Sequence, residues 1–195
     1  MSLVDLEPAA RRMAELVAAV PDELLDGPTP CPAYAVGDLL DHIGGLTLAF
    51  TAAARKDTGG FGDQAPSGDA SRLGDDWRTR IPSDLDVLAA AWRDPTAWTG
   101  MTRAGGVEVP GEIAGVVALD ELVVHGWDLA RSSGQPYGCE RGLLEVVHGF
   151  VAQFADQEEA RQGLFGPVVD LPASAPLLDR VIGLTGRDPA WSPGR

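Results

Sequence analysis

The chain has 195 residues, 45% apolar and 23% charged, with 29 acidic against 15 basic side chains and a net charge of −14. Such a mixture is globular and long enough to bury a core, and bases scattered singly or in pairs exclude a nucleic-acid or anionic-membrane surface, which needs clustered positive charge. No apolar run approaches the ~20 residues of a membrane helix, and the acidic start MSLVDLEPAARRM lacks the apolar stretch of a signal peptide, so the expected location is cytoplasmic.

Residues 3–20 read as a first helix, with Leu6, Met13, Leu16, Val17 and Val20 on one stripe and Arg11, Arg12 and Glu15 opposite. Three prolines in Gly27–Pro32 impose a rigid loop. Cys31 lies in that loop; with Cys139 it makes neither a disulfide framework nor a CxxC site, and both are expected as reduced thiols. A second helix spans about 36–55, its inner stripe formed by Val36, Leu39, Leu40, Ile43, Thr47 and Phe50. Asp38 and His42 share a face of it. Asp38 either takes the second N–H of the His42 ring or, the slightly favoured reading, serves the helix N-terminus through the macrodipole.

The Gly- and Asp-rich stretch 58–76 reads as a surface loop. A third helix is expected over 83–92, with Ser83 as its cap after Pro82. Trp98–Arg103 and Val107–Val109 flank Gly105-Gly106, a hairpin signal. A fourth helix follows Pro110-Gly111 and stops near Ser132-Ser133-Gly134. A fifth is expected over 140–157, and a short last one over 176–184.

The fourth helix carries the chemistry. Glu121, His125 and Asp128 stand at i, i+4 and i+7, so they stack on one face of a segment otherwise rich in Val and Leu. Buried there, a carboxylate and an imidazole need partners. Glu-x-x-x-His is a spacing from which both side chains reach one divalent ion; a solvated i,i+4 pair or a core hydrogen bond is the plainer alternative. A third ligand would have to be His42 or His148. Of these, His148 lies off its helix's stripe and reads better as a satisfied core-edge histidine. Asp128 is read either as a group orienting a ligand or serving as a base, or equally as a salt-bridge partner of Arg131 or a neighbouring helix. Trp127 is expected in the core.

Thr29-Pro30-Cys31, Val36 through Asp38-Leu39-Leu40 to His42 and Gly44-Gly45, and Glu121 through His125-Gly126-Trp127-Asp128 together resemble motifs of the actinobacterial branch of the DinB/YfiT-like superfamily. Phe165-Gly166-Pro167 and Leu177-Leu178-Asp179-Arg180 through Gly186-Arg187-Asp188-Pro189 resemble its C-terminal signature, so the likeness spans nearly the whole chain. It is to the family that includes the N-terminal domain of mycothiol-dependent maleylpyruvate isomerase. The resemblance implies an all-α fold: a four-helix bundle, 1–195 as one domain, with a short β-hairpin and extra C-terminal helices, the segment 160–195 forming an appendage packed on the bundle. It also implies a metal site at one end, with His42, Glu121 and His125 at the ligand positions, zinc the first choice and nickel the second. Two departures stand out. Tyr34 replaces the usual Trp and Ala35 the usual Ser or Thr cap, and neither is expected to touch the ligands.

Two histidines and a carboxylate leave a coordination position open on zinc, the pattern of a catalytic site. The leading expectation is therefore a metal-dependent thiol transferase or isomerase. It would act on a small-molecule substrate with a low-molecular-weight thiol, mycothiol first, and the pocket would be lined by the 58–76 loop. A hydrolase activating water at the same position and a non-catalytic metal-holding module that binds a small ligand or forms a homodimer through a bundle face are the competing expectations.

Overall fold

The computed structural model describes residues 3–57 and 66–194. Four helices, α1 (Glu7–Ala18), α2 (Val36–Ala54), α3 (Trp77–Trp92) and α4 (Gly111–Ser133), carry the core. Each of α1 and α2 packs against both α3 and α4, so the four close into a ring around one apolar interior. Seven α-helices and one two-stranded hairpin occur among the described residues. No helix among them is long and apolar enough to cross a membrane.

Helix α1 starts four residues later than periodicity alone predicts, with Pro8 in its first turn, where a missing N–H costs nothing. The larger correction concerns α3. It begins at Trp77, so Ser83 is an interior residue rather than a cap, and Pro82 sits inside the helix. Proline forfeits one backbone hydrogen bond there. The helix persists because Trp77, Ile81, Leu85, Leu88 and Trp92 form an unbroken buried stripe starting five residues before the proline.

The hairpin pairs β1 (Met101–Ala104) with β2 (Val107–Pro110), in the register Met101↔Pro110 to Ala104↔Val107. Its turn is Gly105-Gly106, both at positive φ (58° and 80°), as a two-residue turn of this hand requires. Trp98, expected in the first strand, instead closes a 3-10 turn over Pro95–Trp98. Helix α4 follows β2 directly. It ends at Gly134, whose φ of 70° is open to glycine at little cost.

Helix α5 (Arg141–Val151) is shorter than the expected 140–157: its last turn tightens into a 3-10 segment, Ala152–Phe154. A single-turn helix, α6 (Glu158–Arg161), precedes an extended run to α7 (Leu177–Leu184). Helix α5 packs on both α4 and α7, and Val181 and Ile182 of α7 are fully buried, which sets the C-terminal segment against the bundle. Residues 58–65 of the expected loop lie outside the described residues. The remainder forms a 3-10 turn over Ala70–Arg72 and buries Leu73.

Candidate metal centre

Helices α2 and α4 pack side by side and bring together the two histidines and the glutamate. Ligand atoms of His42, Glu121 and His125 all lie within 4.8 Å of one another. His42 and His125 are 9% and 6% exposed, and the Glu121 side chain 29%, so the cluster is buried on one side and accessible on the other. The two rings meet edge to face, centroids 4.9 Å apart. His148 is elsewhere, on α5, where its Nε2 accepts a hydrogen bond from Arg180 at 2.8 Å.

Both rings are held from behind. His42 Nδ1 donates to the carbonyl oxygen of Pro66 at 2.9 Å, which leaves Nε2 as its free nitrogen. His125 Nδ1 lies 3.0 Å from Asp128 Oδ2, and its Nε2 lies 3.0 Å from Glu121 Oε2. Asp128 is fully buried and is gripped by Arg187, with Nη2–Oδ2 at 2.9 Å and Nε–Oδ1 at 3.3 Å. Asp128 therefore orients a ring, and its salt-bridge partner is Arg187 rather than Arg131, which donates to the Pro189 carbonyl instead. Ring nitrogens anchored by a carboxylate or a carbonyl, with the opposite nitrogens turned to a common point, are the usual support of metal-ligating histidines.

Asp38 does not orient His42. Its carboxylate accepts from the backbone N–H groups of Ala35 and Ala70, so it serves the start of α2 and ties the 66–72 segment down. Asp41 also ties that segment down, accepting from the N–H of Asp69 and from Arg72. The Pro66 carbonyl is thereby fixed over His42. Tyr34, expected to stay clear of the ligands, stacks on His42 with centroids 5.0 Å apart. Pro66 and Arg187 are the members of the site that residue spacing missed. A backbone carbonyl carries no sequence signal, whereas the buried anions of α4 did call for a cation.

Electrostatics follow from this geometry. Burial, and then the charge of His125, push His42 down to about 4. For His125 burial pulls the other way, but hydrogen bonds to Asp128 and Glu121 and their charges prevail and raise it to about 9. Burial alone would raise Glu121, yet its hydrogen bond to His125 and the nearby positive charge hold it below the usual carboxylate range. Asp120 faces the same charges without that help. It is buried, its Oδ1 has no hydrogen-bond partner among the described residues, and desolvation, reinforced by the charge of Glu121, lifts it to about 8. Burial also raises both thiols, Cys139 to about 11, and neither cysteine is in a disulfide.

The donor set fits a divalent cation. Two imidazoles and one carboxylate converge, and between Nε2 of His125 and Oε2 of Glu121 sits a proton that such a cation would displace.

The model of a family described as mycothiol maleylpyruvate isomerase N-terminal domain matches residues 6–130. Two uncharacterized proteins of Mycobacterium tuberculosis, MT0763 of strain CDC 1551 / Oshkosh and Rv0738 of strain ATCC 25618 / H37Rv, are similar to the chain. Each is 25% identical over 186 residues, covering 89% of this chain and 91% of the relative. The crystal structure of the mycothiol-dependent maleylpyruvate isomerase superposes with a TM-score of 0.64 over 95% of this chain and 88% of that one. At 17% identity this likeness bears on the fold alone.

Proposed function

The chain belongs to the mycothiol maleylpyruvate isomerase N-terminal domain family, and from that premise we propose that it is a metal-dependent enzyme that activates a low-molecular-weight thiol, mycothiol first, for transfer to or isomerisation of a small electrophile. The observation that carries this reading is the cluster of His42, Glu121 and His125, with both rings anchored behind by Pro66 and Asp128. These three residues would hold the ion, zinc before nickel. When bound, it would lower the pKa of an incoming thiol and so supply a nucleophile at neutral pH.

The chain's own residues contribute position and charge. Pro66 and Asp128 fix which nitrogen of each ring faces the site, and Arg187 keeps Asp128 ionised at full burial. The chain offers no activated thiol of its own, because burial holds Cys31 and Cys139 protonated. An external thiol supplies what they do not. Asp128, engaged on both oxygens, is not free to act as the general base a hydrolase would want, which favours thiol over water chemistry.

The test is thiol consumption by zinc- or nickel-loaded protein, with mycothiol and an electrophile, beside Glu121→Gln. Metal-dependent turnover in the parent, lost in the variant while its fold survives, is the expected result. Full metal loading with no thiol-dependent turnover across electrophile classes would leave a metal-holding module in its place.

A further inference from the structure

The carbonyl that sets the His42 ring belongs to a segment with little structure of its own. Pro66–Asp69 is neither helix nor strand and leads into the 3-10 turn Ala70–Arg72. The buried Leu73 pins its far end, and the Leu73 carbonyl accepts from Arg80 at 2.9 Å.

Two kinds of contact seat this segment on the face of α2 that carries Asp38, Asp41 and Gly45. Polar bonds form the first: the N–H of Asp69 donates to Asp41 at 3.0 Å and that of Ala70 to Asp38 at 2.8 Å. Arg72 reaches Asp41 through Nε at 3.2 Å and Nη2 at 2.8 Å, and donates to the Ser67 carbonyl as well. Close fit against glycine is the second. A Cβ on Gly45 would come within 2.8 Å of Pro66 Cβ, and one on Gly37 within 2.9 Å of Ala70 Cβ. Gly68 lies so near the Tyr34 ring, itself against His42, that a Cβ there would stand 2.9 Å away. The seat is well shaped and weakly held. None of residues 66–72 is buried, and the Arg72 side chain is 52% exposed, so the segment lifts at small cost.

His42 thereby has two conditions. With the segment seated, Pro66 takes the Nδ1 proton and leaves the Nε2 lone pair for the cluster with Glu121 and His125. With it lifted, the neutral ring can carry its proton on either nitrogen, and the Nε2–H form cannot ligate through that atom. A cation on Nε2 would polarise the ring and strengthen the bond from Nδ1–H to the carbonyl. Each event favours the other, and by linkage they do so by the same factor.

We propose that residues 66–72 form a strap whose seating on α2 and metal binding at His42 are one linked equilibrium, with Arg72 and Gly45 as positioning residues although neither is a ligand. This rests on the metal site assigned above and not on the thiol.

Amide hydrogen exchange of the full chain, without and with saturating zinc, reads the strap. Exchange at Asp69 and Ala70 is expected to slow about tenfold or more on zinc binding, while the amides of the β1–β2 hairpin keep their rates. No slowing in the strap, or equal slowing in the hairpin from general stabilisation, overturns the proposal. Chelator competition then gives the zinc affinity of Arg72→Gln and Gly45→Ala, each expected to fall about tenfold with helical content unchanged. Alanine suits a helix interior better than glycine, so a loss in Gly45→Ala reports a displaced Pro66 and not a weakened α2. Parent-like affinity in either variant removes the strap link and leaves the metal site standing; a parent that takes up no zinc removes both. A last readout needs no metal: the imidazole nitrogen shifts of His42 are expected to show the Nδ1–H form in the parent and both tautomers in Gly45→Ala. The same tautomer in both proteins counts against the strap.

Discussion

Arg187 reaches Asp128 from 59 residues away, and Asp128 passes that hold to His125. The ring of one candidate ligand is thus set by a guanidinium at the far end of the chain. Asp128→Asn keeps the shape but weakens the acceptor behind the ring, and is expected to lower metal affinity by about 10–100-fold with the helical content unchanged. Arg187→Met leaves Asp128 buried without its cation; at 12% and 0% side-chain exposure the pair is little screened, and a loss of about 3–5 kcal/mol in unfolding free energy is expected. Competition against a chromophoric chelator reads the first and urea unfolding the second.

Metal content separates the three histidines. His42→Ala and His125→Ala are expected to lose near-stoichiometric zinc or nickel, while His148→Ala, whose ring is bonded by Arg180 away from the cluster, retains it. Elemental analysis of protein purified without chelator decides. Metal lost only from the His148 variant would place the site elsewhere.

Metal uptake should expel one proton. His42, pushed down to about 4, is already neutral at pH 7, whereas His125, raised to about 9, is protonated in the metal-free protein. A cation must displace that proton, so affinity rises by roughly tenfold per pH unit between ~5 and ~8. Calorimetric titration in buffers of differing ionisation enthalpy counts the proton directly. An affinity flat across that window would contradict the charge state assigned to His125.

Asp120 works against the fold as pH rises. With its folded value near 8, above the unfolded carboxylate's, the native state holds a proton that the unfolded state gives up, so stability falls as pH climbs from about 4 to about 8. Asp120→Asn cannot ionise and should unfold at higher denaturant than the parent at pH 8, by about 1–3 kcal/mol, with little difference at pH 4. Parallel urea curves at the two pH values test it.

Ala35 precedes α2 in an extended conformation, φ −73° and ψ 171°, with no side chain to cap the helix. Ala35→Ser supplies an acceptor for the N–H of the first turn and is expected to add about 0.5–1 kcal/mol without altering metal content. Thermal unfolding beside elemental analysis reads both.

The apolar stripes of α2 and α4 were legible from their spacing, and so was the Gly105-Gly106 turn. Pro82 misled because the local rule for proline is weaker than a stripe of five buried side chains running through it. At the site, Glu121 and His125 were legible as an i,i+4 pair; their meeting with His42 depends on how α2 lies against α4, which no single helix encodes. In sequence Tyr34 is a neutral replacement for Trp; in the fold it lies against the His42 ring. Pro66 acts through its carbonyl, a group every residue has, and only the carboxylates of Asp38 and Asp41 that moor its segment left a trace in the sequence.

The grip of Arg187 on Asp128 also bears on how the protein can be dissected. A fragment cut to residues 6–130, the span that similarity delimits, would contain His42, Glu121 and His125 and still lack their remote brace. Such a fragment would carry every donor atom, with Asp128 stripped of its guanidinium partner in the interior. The smallest unit that preserves this centre is therefore drawn by charge, and it extends at least to Arg187.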